Sequence, residues 1–236
     1  MSVRAKLLIP FQVLVVLVLP ALLMVGNLLW AAGEVNLYEY GFRKYEVDQA
    51  TGIEQAELAK AAAVLVRYFD SAEEPVDVRV MKDGREFELF NEREKVHLRD
   101  VKELIQMGRR LRLGLLAYAL LFVVLARWWA GRDSGRTLAR AGLFGAGLAL
   151  ALIFAFGLVT LVGFDWLFLQ FHLLSFSNEF WMLDPATDYL IRMVPQGFFY
   201  DATLFVTLAT LVEAVLLGGV CRGYLRRSSR QTGPVV

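Results

Sequence analysis

The chain has 236 residues, 57% hydrophobic and 13% aromatic against only 21% charged, with a mean hydropathy of +0.48; that is too apolar for a soluble domain of this length. Its 25 Lys and Arg nearly cancel 24 Asp and Glu, leaving a formal charge of +1, so nucleic acid is excluded as a partner. One cysteine, Cys221, rules out an internal disulfide, and two histidines in the whole chain leave no Cys/His set of zinc-site spacing; no metal and no other cofactor is expected.

Taken in chain order, Leu7 to Trp30 is an apolar run interrupted only by Gln12, Asn27 and two prolines, long enough to cross a hydrocarbon core. A cleaved signal peptide would have an apolar region about half as long and a small-x-small exit, whereas this run leaves through Asn27-Leu28-Leu29-Trp30; a retained anchor is the expected reading. In the segment that follows, Ala56 to Phe69 carries Leu58, Ala62, Leu65 and Phe69 at helical spacing. Val76 to Met81 then alternates apolar with polar, Asp83-Gly84 marks a turn, and Glu86 to Phe90 resumes the alternation. Asn91 with Glu94 three residues on forms a capping box in which Asn replaces the usual Ser or Thr. A helix is therefore predicted to start there and to carry His97, Val101, Leu104 and Ile105 toward a second span.

Spans two and three are predicted at about Leu111 to Trp129 and Leu138 to Gly163. The next stretch, from Trp166 to Pro185, is rich in aromatic residues yet broken by polar groups throughout, too polar to be a span. It predicts an interfacial helix over Phe168 to Phe176, placing His172 near lipid ester depth, and a second short helix over Asp188 to Phe199 ending near Pro195. A fourth span follows at about Ala202 to Val220, and Ser228 to Val236 reads as a disordered tail. The expected fold is thus an α-helical integral membrane protein: four transmembrane helices with a small extracytoplasmic α+β unit and an interfacial helical loop. It divides into a first span (1–30), an outer domain (31–110), two spans with their connecting loop (111–163), an outer interfacial loop (164–201), and the fourth span with its tail (202–236).

Arg4, Lys6, Arg127, Arg132, Arg136, Arg140, Arg222, Arg226, Arg227 and Arg230 all fall on one side of such a topology, which the positive-inside rule makes the cytoplasm together with both termini. Both outer segments then face away from it, and any chemistry is expected there. Arg109, Arg110 and Arg112 sit at the opposite mouth of span two, where they either snorkel to lipid phosphates or grip an anionic group. Glu213 falls inside span four, where an ionisable group is costly unless hydrogen-bonded and neutral, or functional.

Phe90-Asn91-Glu92-Arg93-Glu94-Lys95-Val96-His97-Leu98-Arg99-Asp100-Val101-Lys102 is followed, two spans later, by Phe171-His172-Leu173-Leu174-Ser175-Phe176-Ser177-Asn178 and then by Trp181-Met182-Leu183-Asp184-Pro185. In this order and on a four-span frame, these runs resemble the bacterial lipoprotein intramolecular transacylase family, and the resemblance covers the chain from first span to last. It implies an acyltransferase of the bacterial plasma membrane whose partners are diacylglyceryl-modified lipoproteins and membrane lipids. The sn-2 acyl chain would move to the α-amino group of the lipidated N-terminal cysteine, leaving a lyso-form lipoprotein. The family's two functional histidines would map onto His97 and His172.

The chemistry accommodates them. An α-amine is mostly protonated at pH 7 and needs a base, the departing glycerol oxygen needs a proton, and imidazole can do either near neutrality. Asp100, one turn from His97, is the candidate to orient it; Arg93, Asn178 and Asp184 are candidate supporting groups, although Asp184-Pro185 is also a plain turn signal. Ser175 and Ser177 leave a seryl acyl-enzyme open. A different class, a membrane assembly factor or sensor whose outer domain binds a partner, requires neither histidine, and a metallohydrolase lacks any HExxH-type spacing.

Overall fold

The structure, a computed structural model, describes residues 7–230; Arg4, Lys6 and the tail beyond residue 230 lie outside the described residues. The protein is predominantly helical. In chain order come α1 (Ile9–Gly33), α2 (Val35–Lys44), α3 (Val47–Thr51), α4 (Gln55–Asp70), β1 (Arg79–Lys82), β2 (Arg85–Glu88), α5 (Glu92–Ala130), a single 3-10 turn (Gly131–Asp133), α6 (Ser134–Ser175), α7 (Tyr189–Met193) and α8 (Gln196–Arg230). Among the described residues, three continuous helical stretches are long and apolar enough to cross a membrane: α1, the run Glu92–Ser175 that joins α5 to α6, and α8.

The chain forms two compact units. One comprises the described residues up to Asn27, Arg110–Leu158 and those from Val206 on. Here α1 packs through Leu8 and Val15 against Phe122 and Ala126 of α5 and Ala141 of α6. Small residues allow close approach: a Cβ at Gly145 would lie 2.6 Å from Leu19 Cδ1, and one at Gly142 would lie 2.6 Å from Cys221 Sγ, the means by which apolar helices pack without a hydrophobic driving force between them. Large apolar side chains such as Leu120, Phe144, Phe154 and Leu216 stay exposed. Asn27 Nδ2 donates to Glu213 Oε2 at 2.9 Å and to Thr210 Oγ1 at 3.0 Å, so the Glu213 carboxyl within α8 is hydrogen-bonded.

The second unit comprises Leu28–Arg109 and Val159–Phe205. Its core gathers Phe42 of α2, Leu58, Ala62 and Leu65 of α4, Val80 of β1, Leu98 of α5, and Met193 of α7 with Phe198 of α8. The hairpin is antiparallel with Val80 opposite Phe87, and both turn residues, Asp83 (φ 53°) and Gly84 (φ 73°), are left-handed, as a two-residue type I′ turn requires.

Several expectations need correction. Strand β1 begins at Arg79, with Leu89 N still donating to the Val78 carbonyl at 2.8 Å just before it, and the side chains of Val76 and Val78 are buried in the core. The segment after residue 34 contains two helices that sequence reading missed, α2 and α3; α2 is started by the Glu34 side chain, which accepts from Asn36 N at 3.1 Å. The interfacial helix does not begin afresh at Phe168. Helix α6 runs on to Ser175 and leaves helical backbone angles only at Gly163 (φ −148°, ψ 46°), because no proline or turn cluster follows that glycine. The helix expected over Asp188–Phe199 is split: α7 stops at Met193 because Pro195 disfavours helical backbone at Val194, and Gln196 onward belongs to α8. Ser228–Arg230 continue α8 rather than fraying. Arg136 holds them, donating to Ser228 Oγ at 2.7 Å and to its carbonyl at 2.8 Å.

Candidate active site

Helix α5 starts where its capping box sets it. Glu94 N donates to Asn91 Oδ1 (3.1 Å) and Asn91 N returns a bond to Glu94 Oε2 (2.8 Å), satisfying two end groups reciprocally. The free oxygen of Glu94 reaches further, accepting from Leu190 N at 2.6 Å, while Asn91 Nδ2 donates to Asp188 Oδ1 at 2.8 Å. Two side chains of one cap therefore tie the start of α5 to the N-terminal end of α7. Burial pushes the Glu94 carboxyl up against the pull of the Leu190 and Asn91 N–H groups. Burial also acts on Asp188, but the N–H of Asp184 and the amide of Asn91 outweigh it and hold that carboxyl below the usual range.

One turn into α5 from Glu94 stands His97. His172 lies one turn before the end of α6, and both are 8% exposed. Their ring centroids are 6.3 Å apart at an interplanar angle of 30°. Aromatic rings surround them: Phe176 meets His97 edge-on at 5.0 Å, and Phe168 (4.4 Å) and Trp181 (4.9 Å) flank His172. His172 Nδ1 is 2.8 Å from the Phe168 carbonyl. A carbonyl can only accept, so Nδ1 carries the proton and Nε2 of the neutral ring keeps its lone pair. The buried Nδ1 of His97 has no hydrogen-bond partner.

Both rings are held neutral. Burial pushes His97 down to about 4, aided by the nearby imidazole of His172 and opposed by the Asp100 carboxylate. Burial likewise lowers His172, against the pull of its bond to Phe168. Both imidazoles are therefore uncharged near pH 7, each with a ring nitrogen able to accept a proton.

The supporting residues separate. Asp100 accepts at Oδ2 from Asn178 Nδ2 at 2.8 Å, which ties the turn after α6 to the helix of His97. Arg93 Nη2 donates to the Glu179 carbonyl at 2.8 Å, holding the same turn. Asp184, by contrast, sits in an exposed turn where its carboxylate accepts from Ala186 N at 2.8 Å, the plain turn role its sequence context allowed. Arg109 forms an ion pair with Asp70. Among the described residues no three His, Cys, Asp or Glu side chains are grouped so that they could hold a metal ion. Glu94 and Asp188, which tie the start of the His97 helix to the beginning of α7, were missed as supporting residues; the capping-box spacing of Glu94 was their only signal in the sequence.

A long-helix frame with this small mixed unit is a known membrane-integral fold. The chain superposes on the membrane integral lipoprotein intramolecular transacylase Lit from Bacillus cereus with a TM-score of 0.79 at 16% identity, covering 96% of this chain and 99% of that one. A histidine-to-alanine variant of that protein gives 0.77, also at 16% identity, over 96% and 97% of the two chains. A protein of Aquifex aeolicus described as uncharacterized is 27% identical over 185 residues, 76% of this chain and 78% of its own length. The profile of lipoprotein intramolecular transacylase Lit matches residues 13–199; the chain belongs to the Lit family.

Proposed function

We propose that this transacylase moves the sn-2 acyl chain of a diacylglyceryl lipoprotein onto the α-amine of the same molecule's N-terminal cysteine, with His97 and His172 managing the proton. The observation that carries the reading is the pairing of the chain's only two histidines, 6.3 Å apart and buried among aromatic rings. Ester plus amine gives amide plus alcohol, so the proton lost by nitrogen is the one gained by the glycerol oxygen. The pair has only to ferry it. His172 Nε2 takes it from the attacking amine, the imidazolium so formed passes a proton to the neutral ring of His97, and the His97 imidazolium releases one to the departing oxygen, which returns both rings to neutrality.

Neutral rings suit this, because a protonated His172 could not accept. Asp100, steadied by Asn178, favours the transient imidazolium on His97, and Arg93 holds the turn that carries Asn178. No enzyme nucleophile is needed, since tethering supplies the effective concentration of the amine. In this reading four spans, at about Leu7–Trp30, Leu111–Trp129, Leu138–Gly163 and Ala202–Val220, cross the bacterial plasma membrane with both termini in the cytoplasm and the histidines on the outer face. The substrates are membrane-anchored lipoproteins. Expression in cells that lack such an enzyme is expected to convert diacylglyceryl lipoproteins to N-acylated lyso forms of unchanged acyl count. Mass spectra of the N-terminal peptide that stay unchanged would refute the proposal.

A further inference from the structure

Where α6 breaks at Gly163, it leaves a groove of about 460 Å³ against the start of α8, lined by Leu161, Val162, Gly163 and Phe164 on one wall and by Gln196, Gly197 and Tyr200 on the other. From it a continuous aromatic ladder leads to the histidines. Tyr200 meets Phe164 edge-on at 5.2 Å, Phe164 contacts Phe168 at 5.9 Å, and Phe168 contacts His172 at 4.4 Å and Phe199 at 5.3 Å. The residues from Phe164 to His172 span about 12 Å of helix. The lining contains no cation, and its one carboxylate, Asp165, is engaged by Gln196 Nε2 at 2.7 Å across the groove. No side-chain cation is there to hold a phosphate, whereas a hydrocarbon chain finds leucine, valine and aromatic faces beside the polar groups of Thr160, Gln196 and Tyr200. Val162 is 88% exposed, leaving the groove open to lipid at the end of span three.

We infer that the migrating acyl chain trails from its ester at His172 along the Phe168–Phe164 ladder and lodges in the groove at the α6 break, making Gly163 a specificity-determining residue. The inference rests on the transacylase reading and extends it to the seat of the substrate. A Cβ at Gly163 would meet no heavy atom within 4 Å, and its φ of −148° lies where side chains are ordinarily found. A larger residue there fills the groove rather than clashing with the protein.

The test uses the full-length protein in proteoliposomes with synthetic diacylglyceryl lipopeptides whose sn-1 and sn-2 chains are varied separately. Gly163→Phe is expected to lower kcat/KM for long relative to short sn-2 chains by about tenfold or more, the scale on which a filled hydrophobic pocket discriminates, and to leave the sn-1 preference alone. Indifference to sn-2 length, or a response to sn-1 length instead, overturns the inference. If the wild-type protein converts no lipopeptide, the transacylase reading fails first, which is a separate result. Should Gly163→Phe not fold, the wild-type protein is labelled with a photoreactive diazirine at the far end of the sn-2 chain. Crosslinks within 160–165 or at Tyr200 support the inference, and crosslinks elsewhere refute it.

Discussion

Acidification is expected to destabilise the protein through His97. In the folded protein this imidazole is pushed down from its ordinary 6.5 to about 4, by burial first and by His172 second. In the unfolded chain it is solvated and returns to about 6.5. Between those values the unfolded state binds the proton and the folded state does not, so stability falls as pH drops through 6.5 and the loss levels off near 4. The gap of about 2.5 units corresponds to about 3 kcal/mol, or roughly 6 to 12 °C in Tm for a chain of this size. Thermal unfolding in one detergent at pH 7 and at pH 4, for the wild type and for His97→Asn, isolates this contribution. Titrating groups other than His172 and Asp100, which are coupled to His97, affect both proteins alike, so the difference between the two pH dependences belongs to His97 and its coupling to those two. The wild type is expected to lose about 3 kcal/mol more than the variant on acidification. Parallel profiles would refute the assignment of a buried, neutral His97.

Asp100→Asn removes the one influence that raises His97, so the imidazole's NMR titration midpoint is expected to move below about 4; an unchanged or raised midpoint contradicts the proposed pairing. Alanine at His97 or His172 is expected to cost about two to four powers of ten in rate, the usual scale for losing proton-transfer help, while Ser175→Ala and Ser177→Ala keep most activity. An acyl group found on either serine by intact mass would replace direct aminolysis with a seryl route, and silent double histidine variants would favour a non-enzymatic membrane module. Glu94→Ala leaves the buried N–H of Leu190 without its acceptor and opens the capping box at Asn91, and a loss of about 1 to 3 kcal/mol for the orphaned Leu190 group is expected in chaotrope unfolding; Glu94→Gln, which keeps an acceptor, is expected to lose less.

What was legible in the sequence was local. The Asn91–Glu94 cap and the Asp83-Gly84 turn are short-range patterns, and both sit where spacing put them. The apolar runs behind α1, α5, α6 and α8 are equally direct, because a long run of apolar side chains announces itself by composition. Helix α2 escaped notice because Val35, Tyr38 and Phe42, the residues that mark its buried face, fall in a polar stretch just after a long apolar run. The continuation of α6 past Gly163 was hidden for the opposite reason: the polar residues of 165–178 suggested a new element where the backbone only bends. The site was half legible. His97 and His172 stood out by scarcity and motif, but the bonds that join their segments, Glu94 to Leu190, Asn91 to Asp188 and Asp100 to Asn178, link residues some 80 to 100 positions apart, and no periodicity encodes such pairs.

The central claim is that one molecule supplies both the acyl chain and the amine. The most direct measurement reconstitutes the purified protein with a lipopeptide carrying an isotope-labelled sn-2 chain, in vesicles of unlabelled phospholipid, and sequences the product's N-terminus by tandem mass spectrometry. The expected product carries the label in amide linkage on the cysteine α-amine, a free sn-2 hydroxyl, and an unchanged total of acyl chains. An unlabelled acyl group on that amine, drawn from phospholipid while the labelled ester stays in place, would contradict it.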